Sequence, residues 1–297
     1  MKAATAKTAV GFRNILFATD FSPAAENAIP YVKRLAKHYL ANLVVLHAHP
    51  PVVNPMAPPE TWASDVEEQN ARDQFHREEL LSTFAGIFTK VLIGEGGVQA
   101  NLQAAIEENN TDLVVVGTRG RTGIGKMLLG SVAEEILRTT NCPVLTVGPH
   151  ADPARESDGQ IREILFATDF ASESNGAAGY AVSLAQEFQA RLAMLHVISE
   201  PRAGDLVADC DVEESSRALL QKLVPSGAEA WCKPEYFVEH GNPAARILDL
   251  ARLRESDLIV LGVKPEAGVH GAATHLPVAT VHKIVSQATC PVLTVRG

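Results

Sequence analysis

The chain is written twice. "RNILFATDF" at residues 13–21 returns as "REILFATDF" at 162–170, and "LVVLHAH" at 43–49 returns as "LAMLHVI" at 192–198. "TDLVVVG" at 111–117 returns as "SDLIVLG" at 256–262, and "CPVLTV" at 142–147 recurs unchanged at 290–295. Four blocks in the same order over so long a period are a duplicated domain, not a solenoid repeat of about 20–50 residues. A length of 297 residues gives each copy enough chain for its own core. The join falls in "GPHADPARESDGQ" (148–160), which has the Gly, Pro, Asp and Ser content of a linker. Domains are therefore expected at 1–150 and 151–297.

Composition narrows the function classes. No apolar run approaches the roughly 18 residues of a membrane span, so no membrane partner is expected. The N-terminal "MKAATAKTAVGFRN" has lysines but no apolar core of a signal peptide. Four cysteines without framework spacing fit a reducing compartment, which predicts a cytoplasmic protein. A formal net charge of −9 argues against nucleic acid as a partner. The copies have also drifted electrostatically, from −2 in residues 1–150 to −7 in 151–297.

Within each copy, short β-branched apolar runs ("NILFA", "LVVLH", "KVLI", "LVVVG", "PVLTV") alternate with helical patterns at 23–40, 64–85, 98–110 and 131–140. Continuously apolar strands are parallel strands covered on both faces, so the fold class expected is α/β, two tandem doubly wound parallel five-stranded sheets. Ser22 with Pro23 reads as an N-cap and first helical position. The proline-rich "HPPVVNPMAPPE" (49–60) reads as an irregular excursion. Ligands on such sheets bind beyond the carboxyl ends of the strands, here "FATD", "LHA" and "VVG". The last strand of each copy is an edge that needs covering, which predicts that the two copies pair there as a pseudo-dimer.

One loop invites a phosphate. In "VVVGTRGRTGIGKMLLGSVAEE" (114–135), Gly120, Gly125 and Lys126 fit a Walker loop, but Met127 stands where its magnesium-holding Ser or Thr must be. A dinucleotide fingerprint fails as well, since "ATDFSP" after the first strand has no glycine. What remains is Gly117-xx-Gly120, nine residues, then Gly130-Ser131. Glycines let backbone N–H groups approach an anion, and a helix beginning at Ser131 adds free donors and a positive dipole end. Arg119, Arg121 and Lys126 supply positive charge. Ser131 and Glu134 also form a capping box, which leaves the amides of Val132 and Ala133 unpaired and so competes with neither reading.

Together these blocks resemble the universal stress proteins in their tandem two-domain form, over almost the whole chain and weakest at 49–88 and 199–230. The resemblance implies a Rossmann-like strand order 3-2-1-4-5 and, by likeness to the ATP-binding members, an adenine-nucleotide site. It puts Ala18, Thr19 and Asp20 near adenine and ribose, with Ala48 on the adenine side. Gly117, Thr118, Arg119, Gly120, Arg121, Gly130, Ser131 and Val132 would serve ribose and phosphates, with magnesium reached through the phosphates. A regulatory protein of the stress response follows, working through a protein partner and assembling as a homodimer of tandem chains. Asp20 has a plainer alternative role, capping the helix that begins at Ser22-Pro23.

The second copy keeps Thr168 and Asp169 but has Pro265 at the place of Gly120 and Val278-Ala279 at that of Gly130-Ser131, in a loop three residues longer. It reads as a structural partner without a site of the first kind. His240, His270, His275 and His282 lack metal-ligand spacing, so no metal site is expected. His47 and His196 read as packing residues or pocket rim, and Cys142 and Cys290 as small buried hydrophobes. No catalytic constellation stands out. The alternative function, a slow ATPase, would need a base near the γ-phosphate, and only Glu134 and Glu135 lie close in sequence.

Overall fold

The computed structural model describes residues 10–52, 58–118, 131–151, 160–199, 209–228, 232–263 and 278–296. The first half comprises β1 (Asn14–Ala18), α1 (Pro23–Glu26), α2 (Ile29–Tyr39), β2 (Asn42–His49), α3 (Pro59–Thr83), β3 (Thr89–Glu95), α4 (Val98–Glu108), β4 (Leu113–Gly117), α5 (Ser131–Thr139) and β5 (Val144–Val147). The second comprises β6 (Glu163–Thr168), α6 (Ser172–Phe188), β7 (Arg191–Ile198), α7 (Asp209–Lys222), β8 (Glu235–His240), α8 (Pro243–Leu253), β9 (Leu258–Val263), α9 (Val278–Gln287) and β10 (Val292–Arg296).

The strands are continuously apolar because both faces of the sheet are covered. Ile15, Phe17, Leu43, Val45 and Val115 belong to one core, and Leu16, Ala18, Val44, Leu46 and Val116 to another. Ile15, Leu16 and Phe17 are fully buried, each side chain contributing about 1.5–3 kcal/mol of hydrophobic stabilisation. Both cores run through both halves, since the strands form one ten-stranded sheet in the order β3-β2-β1-β4-β5-β10-β9-β6-β7-β8. Every neighbouring pair is parallel except β5 with β10, which are antiparallel. The halves thus meet at the strands expected to need cover, and neither is an edge.

Two helices depart from the sequence reading. The helix expected at 23–40 is two helices, α1 and α2. Pro30 in the first turn of α2 has no N–H to donate to the Glu26 carbonyl, so the ladder cannot run through. The helix expected from residue 64 begins instead at Pro59, inside the segment read as irregular. A first helical turn needs no intrahelical N–H partners, and proline is accepted there.

Helices also cross the seam. At the end of α2, the His38 ring stacks on Phe188 of α6 with centroids 4.4 Å apart, and its Nε2 lies 3.0 Å from Glu187. Phe12 packs edge-on to Tyr39 and stacks on Tyr180. Burial, with the charge of Glu187 adding to it, pushes the Tyr39 hydroxyl well above its ordinary pKa.

Candidate functional site

The carboxyl edge of β1 is built by a short polar turn. Ala18 pairs with Leu46 of β2 and Val116 of β4, and the Thr19 amide still donates to the Leu46 carbonyl at 2.9 Å. The next two side chains then fold back on the backbone. Thr19 Oγ1 accepts from the Phe21 amide at 3.1 Å, and Asp20 Oδ1 accepts from the Ser22 amide at 3.0 Å. These bonds hold Phe21 at a left-handed φ of 56°, a conformation local side-chain hydrogen bonds make affordable. Ser22, not Asp20, is the N-cap of α1, its hydroxyl accepting from the Ala25 amide.

The second copy builds the same turn. Thr168 Oγ1 accepts from Phe170 N at 2.9 Å, Asp169 Oδ1 accepts from Ala171 N at 3.0 Å, and Phe170 has φ 62°. The turn alone therefore does not separate the two halves.

Beside it, β4 ends at Gly117, whose register partner is Val147. A Cβ on Gly117 would lie 2.5 Å from the Ala24 carbonyl oxygen and 2.8 Å from the Ala25 nitrogen. This glycine lets α1 abut the end of β4, a packing role that the sequence reading, which assigned it to the ligand, did not contain. Thr118 follows, its amide bonded to the Val147 carbonyl at 3.1 Å. Its hydroxyl is buried with no hydrogen-bond partner among the described residues. A buried hydroxyl left alone costs about 1–3 kcal/mol, so it marks a place where a polar partner would be favourable. Ala48 is half-buried on β2, opposite Gly94 of β3.

Of the twelve residues expected to contact a ligand, Ala18, Thr19, Asp20, Gly117 and Thr118 gather at this edge, with Ala48 one strand over. Ser131 begins α5. Val132 is half-buried and packs on the core, as does the fully covered Ala133. Arg119, Gly120, Arg121 and Gly130 lie outside the described residues, as does the side chain of Ser131, and with it the capping box.

A cluster of rings completes the edge. His47 Nδ1 lies 2.9 Å from the Thr19 carbonyl, and its ring meets Phe21 edge-on at 4.8 Å. His76 of α3 stacks on the other side of the cluster against Phe21, centroids 4.1 Å apart. His49 Nε2 lies 3.4 Å from Asp73 of α3. His76 and Asp73 were missed from sequence, because nothing local says where along β2 a long polar helix will sit. In the second half His196 repeats the bond to the Thr168 carbonyl at 2.9 Å and stacks on Phe170. Its pKa is lowered by burial, opposed by that bond and by the charge of Asp169. Among the described residues no three His, Cys, Asp or Glu side chains are grouped to hold a metal ion. No helix there is long and apolar enough to cross a membrane.

Fold and edge together define a tandem doubly wound α/β protein whose polar turns open at the carboxyl side of the sheet, beside a β4 that ends in glycine. The chain belongs to the universal stress protein family, whose signature it carries twice, at residues 11–148 and 160–296. It is 27% identical over 295 residues to a universal stress protein of Mycolicibacterium smegmatis, covering 95% of this chain and 96% of that one. A universal stress protein of Thermus aquaticus is 34% identical over 142 residues, which is 46% of this chain and 98% of the relative. A universal stress protein from Archaeoglobus fulgidus has a similar fold, with TM-score 0.68 at 21% identity over 95% of this chain and 97% of that one.

Proposed function

We propose that this chain is a stress-response regulatory protein that binds one adenine nucleotide, ATP or another adenylate, in its first half. The reading is carried by the convergence at one edge of the Ala18-Thr19-Asp20 turn with Gly117 and Thr118, where Ala18 and Val116 are register partners. The buried Thr118 hydroxyl without a partner among the described residues suits a ligand oxygen. The first amides of α5, beginning at Ser131 behind the glycine loop, suit a phosphate. Asp20 is a poor neighbour for phosphate but a good acceptor for ribose hydroxyls or an adenine amino group. Arg119, Gly120, Arg121 and Gly130 complete the set by their place in the sequence, and a magnesium ion would be held through the phosphates rather than by a protein cluster.

The second half is proposed to lack such a site, with Pro265 and Val278 where the first half has Gly120 and Gly130. Binding without efficient turnover is the function argued for, because no Walker Ser or Thr follows Lys126 and no positioned base is evident. Mass spectrometry of the small molecule that co-purifies with gently handled protein tests the reading. An adenine nucleotide near one equivalent per chain is the expected result. A steady-state phosphate-release assay should give far fewer than the roughly 1–100 turnovers per second of kinases. Several per second, abolished by Glu135→Gln, would move the chain to the ATPase reading.

A further inference from the structure

We infer that Arg296, from the second half, is a positioning residue for the nucleotide site of the first. Its guanidinium Nη2 donates to the Leu137 carbonyl in the last turn of α5. That carbonyl is one of the four that a helix leaves without an internal partner, and a cation there also meets the negative end of the helix dipole. The neighbouring Ile136 carbonyl is already taken by the Thr140 amide at 3.0 Å. Ala133, Ile136 and Leu137 press α5 onto the sheet, and the Arg296 bond adds a polar restraint at its C-terminal end. Arg296 grips one end at Leu137, and the proposed phosphate donors are at the other, which begins at Ser131.

The repeat shows that this grip is specific to one side. Position 296 in the second copy corresponds to Gly148 in the first, and Leu137 corresponds to Val285. There the contact is backbone on backbone, since a Cβ on Gly148 would lie 2.7 Å from the Val285 carbonyl oxygen. The last helix of the half with the glycine loop is held by a long charged arm. Its counterpart, α9, is held by direct apposition with no room for one. The second half thereby has a task beyond packing: it sets the position of the helix that the first half would offer to phosphate.

This inference rests on the nucleotide reading, and its test separates the two. In the full chain, Arg296→Ala should weaken ATP binding by at least about fivefold, the low end of coupling between sites, with Arg296→Lys restoring most of it. Hydrogen exchange at the amides of 132–140 should quicken in Arg296→Ala without ATP, while 278–287 stays as before. A folded Arg296→Ala that binds ATP as the unaltered chain does would overturn the inference, even if its melting temperature fell. If the unaltered chain binds no ATP, both the inference and the nucleotide reading fall, a result recognisable before any variant is made.

Discussion

Leu145 of β5 faces Leu293 of β10 across the antiparallel pair that joins the halves, and the two are the same position of the repeat. An approximate two-fold axis therefore passes between them, with Thr146 opposite Val292 and Val144 opposite Thr294 on either side. Both leucines are buried. Leu145→Ala and Leu293→Ala should each cost about 2–5 kcal/mol. The double variant should cost a different amount from the sum, because residues in contact couple. Urea unfolding of the four proteins checks this, and strict additivity would mean that the seam is not packed through this pair.

The seam has diverged away from symmetry at His38 and Glu187, equivalent positions that face each other at 3.0 Å. Glu187→His copies the first half's residue into the second and places two imidazoles together. With both partners partly exposed, the loss should be small, no more than about 1 kcal/mol. Urea unfolding of the variant beside the unaltered chain decides it, and a loss of several kcal/mol would show that the pair carries more than a surface contact.

Glu163 is buried at the start of β6, held by Arg254, with Arg191 at 2.8 Å from its other oxygen. In the first half the matching place is neutral, Asn14 accepting from Asn42 at 2.9 Å. Arg254→Met leaves a carboxylate with one exposed partner and should destabilise by about 3–5 kcal/mol. Glu163→Gln with Arg254→Met together should recover much of that loss. Recovery of nothing in chemical denaturation would show that the charge pair is not the cause.

The acid side of the stability profile has signed contributions. His196 has its pKa lowered by burial in the folded state, so its contribution is present above the ordinary 6.5 and lost as pH falls through the folded value. Glu235 is held below its ordinary 4.5 by its hydrogen bonds to Arg254, so its contribution is lost still lower. Asp112 works the other way, its pKa raised by burial despite accepting the amides of Arg13 and Asn14. His196→Gln should flatten the decline in stability just below pH 6.5, measured as urea midpoint against pH.

Much of this was written in the sequence. The parallel strands were legible because "NILFA" and "LVVVG" are apolar on both faces, and the seam because an identical "CPVLTV" closes each copy. The turn at Thr19-Asp20 was visible as residues but not as chemistry: its bonds to Phe21 and Ser22 depend on a positive φ that no periodicity announces. Gly117 was legible as a glycine for close approach of a ligand, yet what a side chain there would meet is the backbone of α1. Nothing in the sequence near Glu163 announces that Arg254, far along the chain, folds over it. His76 needed the placement of α3 against Phe21.

Asp20→Ala should weaken ATP binding through ribose or adenine, whereas Asp169→Ala should leave affinity unchanged. Since both carboxylates build the same turn, equal losses of stability are expected from the two changes. Unequal losses of binding are what would distinguish a ligand role from a turn role.

The central claim is one nucleotide per chain, in the first half, and isothermal titration of the full chain with ATP addresses it directly. A stoichiometry of one is predicted, lost in Gly130→Val, which copies Val278 into the first loop. Two equivalent sites per chain, or a Gly130→Val protein that binds ATP normally, would contradict it.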